Sequence, residues 1–277
     1  MQISFRWLGN AGFEFNLGSA TLLVDPFLTR PRQAQLWFGR AAIDHEAIKE
    51  HVKAGNHILV SHAHFDHFMD VPEIALSFGA VIYGSANTCA LARKLNGPDS
   101  QIHLIKPGDE FELDEIHVKV IPARHPWIPG YTSGHLKKDL KPPLQLREYR
   151  MDACLSFLIG FQGKSILVWS SIGAEDAEAA DILICRAVSR QRWYTELLES
   201  VQPRLVIPSH WDDMFRPLSE PTRPFFSPPR LGLPPMRRID LREFERRVKK
   251  ASPGCAVLVP ERFKEYDLRP STGSGRI

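Results

Sequence analysis

Cysteine is scarce in this 277-residue chain: there are four, at positions 89, 154, 185 and 255, and no C-x-x-C pair. Their scatter excludes a zinc ribbon and a dense disulfide framework, and points to free buried thiols in a reducing compartment. An excess of one charge sign is also missing. The 35 basic and 32 acidic residues leave a net charge of +3, too little to argue for nucleic acid or an anionic membrane surface. No apolar run approaches a membrane span, and Arg6 and Glu14 interrupt the stretch where a leader peptide needs an unbroken apolar core. These absences predict a cytoplasmic protein with no membrane and no nucleic acid among its partners. With 43% hydrophobic residues, the chain can bury a sizeable core unaided, so any metal is expected to serve function.

What the chain does hold is histidine (11) and proline (22), both unevenly placed. Apolar patterning predicts strands at 3–7, 13–16 and 21–24, a helix capped by Asp44 and running to residue 53, and a strand at 57–60. Further strands are expected at 80–83, 103–105, 116–121, 154–161, 165–168, 181–185, 205–207 and 256–259. Helices are expected from Ser85 to the Asn96-Gly97-Pro98 stop, along the face Trp193, Leu197, Leu198 and Val201, and after Asp240, with Glu243 in capping-box relation. Residues 126–150 and 214–236 lack this periodicity. Loops of that length in a compact domain are usually functional, so both read as lids. No linker divides the chain, which is expected to form one domain over 1–268 with a disordered tail at 269–277.

The strand ending at Val60 runs into Ser61-His62-Ala63-His64-Phe65-Asp66-His67. Residues two apart on an extended segment point the same way, so His62 and His64 can converge on one ion. Asp66 and His67, after the chain turns, can face a second. Imidazole and carboxylate suit zinc, manganese or iron(II), and the lack of nearby cysteine argues against a closed structural zinc site.

This H-x-H-x-D-H run resembles the signature of the metallo-β-lactamase superfamily. The resemblance implies an α/β fold, a four-layered αββα sandwich with the metal site at one edge of the paired strands. It also implies two further ligands: His125, after the strand at 116–121, would join His62 and His64, and His210, in Pro208-Ser209-His210, would join Asp66 and His67. Trp7-Leu8-Gly9-Asn10-Ala11-Gly12-Phe13 and Leu23-Val24-Asp25-Pro26-Phe27 are similar to the opening of the branch that contains ascorbate-phosphate lactonase. The likeness runs from about residue 3 to residue 215. In that setting Asp25 resembles a carboxylate that orients a ligand histidine.

The chain departs from the family at Ser171, in Ser170-Ser171-Ile172-Gly173, where most members carry an aspartate bridging two metals. Without that charge two close divalent ions repel more strongly, so one tightly bound ion, most simply Zn2+, is expected with the second site weak or empty. The other outcomes left open are two ions held by hydroxide or phosphate in place of the bridge, and compensation by Glu175 or Asp176. An ion held by three histidines with an open position brings its water to a pKa of about 7, which implies hydrolysis, with Asp66 and His210 assisting catalysis. The loop cluster His135, Lys137, Lys138, Arg147 and Arg150 is expected to attract a small anionic substrate, an ester, lactone or phosphodiester. Trp127 and Trp211 are expected near the pocket. Phe215, Phe225 and Phe226 offer an apolar wall or a contact between copies in a homo-oligomer. The alternative is a metal-binding sensor or scaffold that lost hydrolysis with its bridging aspartate.

Overall fold

The computed structural model describes residues 3–128, 131–226 and 237–268. An antiparallel meander of β1 (Ile3–Gly9), β2 (Gly12–Leu17) and β3 (Ala20–Val24) continues in parallel through β4 (His57–Leu59), β5 (Val81–Gly84) and β6 (Ile102–Leu104). In the second sheet, β7 (Glu110–Leu113), β8 (Ile116–Ala123), β9 (Cys154–Phe161) and β10 (Lys164–Trp169) are antiparallel, and β11 (Ile182–Arg186), β12 (Leu205–Ser209) and β13 (Ala256–Val257) extend it in parallel. The chain then returns as β14 (Glu265–Asp267) to pair with β1, giving two seven-stranded sheets among the described residues.

Side-chain alternation along the strands sorts two apolar clusters. Leu22 and Val24 join Phe5, Trp7, Phe13 and Phe15 against Val118, Val120, Phe157 and Leu167 of the facing sheet. Leu23, between them in sequence, turns the other way and packs with Ile58, Val60 and Ile82. That outer face is covered by α1 (His45–His51), α2 (Phe65–Phe68), α3 (Val71–Phe78) and α4 (Ala86–Lys94). On the opposite side α5 (Gln191–Val201) buries Trp193, Leu197, Leu198 and Val201, and α6 (Leu241–Ala251) buries Phe244 and Val248. The layer order is helices, sheet, sheet, helices, the αββα sandwich expected from the sequence.

Local chemistry explains most boundaries. Asp44 accepts the amide of Ala47 and Ser85 that of Thr88, capping α1 and α4 as read from the sequence. Three expectations need correction. The first helix stops at His51, with Val52 extended behind it. Asp240 caps α6 alone, because the Glu243 carboxylate bonds Arg247 Nε at 2.6 Å instead of returning to the cap. The last strand of the second sheet shrinks to Ala256–Val257. The expectations for 227–236 and 269–277 lie outside the described residues.

Candidate metal centre

The sequence after β4 leaves the sheet through Ser61 and His62, and His64 is the N-cap of the one-turn α2. That turn puts Asp66 and His67 on buried helix positions, while His125 follows β8 and His210 follows β12. The fold thereby gathers two donor sets, His62, His64 and His125 in one and Asp66, His67 and His210 in the other, each with one donor atom per residue within 4.8 Å of the others. The two sets are adjacent: the His62 and His67 rings lie 3.9 Å apart, and His210 Nε2 is 3.1 Å from Asp66 Oδ2.

Hydrogen bonds fix which nitrogen of each ring is free. Asp25 Oδ1 accepts the Ser61 amide at 2.7 Å, and its Oδ2 accepts the Ser61 hydroxyl at 2.5 Å. Having given its proton to Asp25, the Ser61 oxygen accepts from His62 Nδ1 at 3.0 Å. His67 Nδ1 donates to Asp25 Oδ2 at 2.8 Å, so the carboxylate sits directly behind this ring. His64 Nε2 donates to the Thr132 carbonyl at 3.1 Å. The nitrogens left over are His62 Nε2 and His64 Nδ1, both buried without a hydrogen-bond partner among the described residues, as is Asp66 Oδ1.

Burial lowers the pKa of His62 well below the ordinary 6.5, that of His64 to about 4 and that of His125 to about 3. All three are neutral lone-pair donors at pH 7. Burial also opposes charge on Asp66 and His67, but their mutual attraction, with His210 beside Asp66 and Asp25 behind His67, lowers the aspartate and raises the histidine. Neutral imidazoles next to one ionised carboxylate, with orphaned donor atoms turned inward, fit a divalent cation of the zinc, manganese or iron(II) kind.

Ser171 has a different use from a metal bridge. It is buried, and its Oγ accepts the amides of Arg124 at 3.1 Å and Gly173 at 3.2 Å. With the Ile172 amide on the Arg124 carbonyl at 2.9 Å, this joins the turn after β10 to the segment leading into His125. The expectation that Glu175 or Asp176 compensates does not hold. Glu175 pairs with Arg124 at the surface at 2.5 Å, Asp176 is exposed, and neither belongs to a donor set.

Both sets open on a cavity of about 190 Å3 lined by Asp25, His62, His67, His125 and His210, and walled by Ile128, Val168, Val188, Met214, Phe225 and Phe226. Phe225 and Phe226 thus form an apolar wall, whereas Phe215 packs beside Phe65. The basic loop is a correction, since Lys137, Arg147 and Arg150 are absent from the described lining. Lys137 lies 3.6 Å from Glu148, Arg147 Nε donates to Gln145, and Arg150 donates to the His135 carbonyl, so the charges serve their own loop. Trp127 is 85% exposed, and Trp211 is buried in a stack on Trp7 at 4.8 Å, so neither lines the cavity.

Sequence reasoning missed several residues here. Asn10 donates to the Asp66 carbonyl at 2.9 Å, and its amide is held by Asp212 at 2.7 Å. Tyr131, with its hydroxyl near Asp66, closes one side of the cavity, and Arg186 lines another. Only Arg186 left a signal in the sequence, a charge ending the apolar run Ile182 to Cys185.

Residues 13–137 match the family model described as the metallo-beta-lactamase superfamily. A UPF0173 metal-dependent hydrolase of Pyrobaculum arsenaticum is 34% identical over 48% of this chain; the chain spans about half of that relative, 55% of its length. Another, from Carboxydothermus hydrogenoformans, is 27% identical over 76% of this chain and 85% of its own. Among solved structures, a metallo hydrolase of the archaeon Ignicoccus hospitalis superposes with a TM-score of 0.62, at 17% identity, over 98% of this chain and 100% of that one. The sequence match takes in β2 to β8, and the αββα fold extends the likeness over the remaining strands, so this chain is similar to the metallo-beta-lactamase superfamily in sequence over that stretch and in fold throughout the described residues.

Proposed function

We propose that the protein is a metal-dependent hydrolase of a small anionic ester, lactone or phosphodiester. The observation that carries this reading is the convergence of two donor sets, with their free atoms turned inward, on one apolar-walled cavity. The relatives named metal-dependent hydrolases support it. When bound, a divalent ion, zinc before manganese or iron(II), supplies a Lewis acid and a water acidic enough to serve as nucleophile near neutral pH.

The chain's own residues do the rest. His62, His64 and His125 form the tighter site, and the second set is weaker or empty because Ser171 contributes no shared carboxylate. Asp66, ionised and beside the Tyr131 hydroxyl, orients the attacking water and passes its proton onward. His210 Nε2 either completes the second set or donates to the developing oxyanion. Phe225, Phe226 and Val188 keep bulk water from the reacting atoms.

A panel of phosphodiesters, phosphomonoesters and lactones, assayed with zinc and with manganese, tests the reading. Metal-dependent turnover that disappears in His64→Ala is expected, and full activity in that variant overturns the assignment. A protein that holds metal but is inert across the panel points instead to a sensor or scaffold. Metal analysis after purification without added zinc should find one tightly held ion per chain, and two would overturn the stoichiometry.

A further inference from the structure

We propose that Arg186 is the specificity-determining residue of this cavity and takes a carboxylate carried on an apolar, non-reacting arm of the substrate. The proposal rests on the hydrolase reading for the word substrate, and on the cavity alone for the anion. Arg186 ends β11, and the parallel register sets it opposite Ser209, the residue before His210. It therefore stands one strand away from the second donor set, and it lines the same cavity.

Its charge has no internal use. Among the described residues no carboxylate pairs with the Arg186 guanidinium, and the Tyr194 hydroxyl bonds only its carbonyl, at 3.2 Å. Burial raises the pKa of Tyr194 and of Cys185, so both neighbours are neutral near pH 7. Every other arginine or lysine is absent from the described lining. A half-buried cation without a counter-ion costs free energy in an apolar wall, and an incoming anion removes that cost.

The walls describe the rest of the ligand. Val188, Phe225, Phe226 and Ile239 share the cavity with Arg186, and Ser170, Ser209 and Asp212 line it too, so the apolar walls suit an arm that is mainly hydrocarbon and leave Arg186 as the cationic partner for its anion. One guanidinium, presenting a planar fork, matches one planar carboxylate in shape and charge. A phosphate dianion would leave one negative charge unbalanced beside these walls. An ester or lactone with a carboxylate on a short aliphatic or aromatic arm meets both demands.

Calorimetric titration of the metal-loaded protein with hexanoate, hexanamide and hexyl phosphate tests this, comparing wild type with Arg186→Gln and Arg186→Lys. Hexanoate affinity should fall by about tenfold or more in Arg186→Gln, the scale of one lost charge-assisted hydrogen-bond pair. Arg186→Lys should fall in between, and hexanamide should not distinguish the three proteins. Arg186→Lys carries the comparison should Arg186→Gln fail to fold, as judged by its melting curve. Equal hexanoate affinity in wild type and the folded variants, or no binding by wild type, overturns the proposal. Tighter, Arg186-dependent binding of hexyl phosphate overturns the carboxylate in favour of phosphate. Failed turnover with Arg186-dependent hexanoate binding intact would sink the hydrolase reading alone. Metal-dependent turnover with hexanoate binding blind to position 186 would sink this proposal alone.

Discussion

The Asp212 carboxylate accepts the backbone amide of Asn10 at 2.7 Å, and the Asn10 carbonyl accepts the amide of His210 at 2.9 Å. Asn10 and His210 both sit in the left-handed region, at φ of 50° and 55°, so each turn is strained and needs the other to hold it. The β1–β2 turn, 200 residues away in sequence, is thus the bracket that sets His210 over Asp66. Asp212 also faces Arg30 at 3.5 Å, with both side chains at most 3% exposed. Asp212→Ala strands a buried cation and a buried amide, and should cost about 3 kcal/mol in denaturant unfolding. Asp212→Asn keeps an acceptor for the amide and should cost less. In both variants the zinc content of the three-histidine set should outlast that of the Asp66 set, and the reverse order on zinc titration would contradict the bracket.

Asp25 touches both donor sets at once, His67 directly and His62 through the Ser61 hydroxyl. Such partners fix ring tautomers, and losing one lowers metal affinity by roughly 10–100-fold. Asp25→Ala should weaken both sets in a competition with a chelator. Ser61→Ala keeps the 2.8 Å contact from His67 to Asp25 and loses only a longer 3.3 Å contact to that ring, so it should weaken chiefly the three-histidine set. Equal effects of the two substitutions on both sets would remove the relay.

Ser171 fills the aspartate position with a hydroxyl that accepts two backbone amides. Ser171→Ala leaves the Arg124 and Gly173 amides without that acceptor, at about 1–3 kcal/mol for buried donors. Since Arg124 immediately precedes His125, zinc should also dissociate faster from the three-histidine set. Unchanged melting and unchanged zinc retention would show that the joint does not position His125.

His62, His64, Asp66 and His67 were legible in the sequence because chelation demands particular side chains and they crowd into one run after a strand, whereas His125 and His210 were reached only through the family resemblance. Asp25 was likewise suggested by the resemblance, since an Asp-Pro step after a strand reads equally well as a plain turn. Asn10, Asp212, Tyr131 and Arg186 act through sheet register or long-range contact, which spacing along the chain does not carry. The basic loop misled because composition gives charge density without direction. Arg147 and Arg150 bond a side chain and a carbonyl of their own loop, and among the described lining residues the one arginine is on a strand, at Arg186. The helices at Phe65–Phe68 and Val71–Phe78 were missed because residues 65–72 are buried on all sides, so no amphipathic period marks them.

Acid should unfold the metal-free protein through its neutral histidines. In the unfolded chain they take up protons near pH 6.5. In the folded chain burial holds His64 to about 4, His125 to about 3, and His62 well below 6.5. Between these limits the unfolded state binds protons that the folded state refuses, so stability present above pH 6.5 is lost as the pH falls. His67 has the opposite sign: burial opposes its charge, Asp25 and Asp66 outweigh burial, and its contribution is full at low pH and lost as pH rises through its raised value. His51, lowered by burial as well, makes four lowered histidines against one raised, and these set the direction. The melting temperature of chelator-treated protein should therefore drop steadily from about pH 7 to about pH 4.5. A variant combining His64→Ala and His125→Ala should fall less steeply over the same range. Added zinc binds only the neutral rings, so at pH 7 it should raise the wild-type melting temperature and leave the double variant nearly where it was. A metal-free protein whose stability is flat or rises on acidification would show that the histidines are not held neutral by the fold.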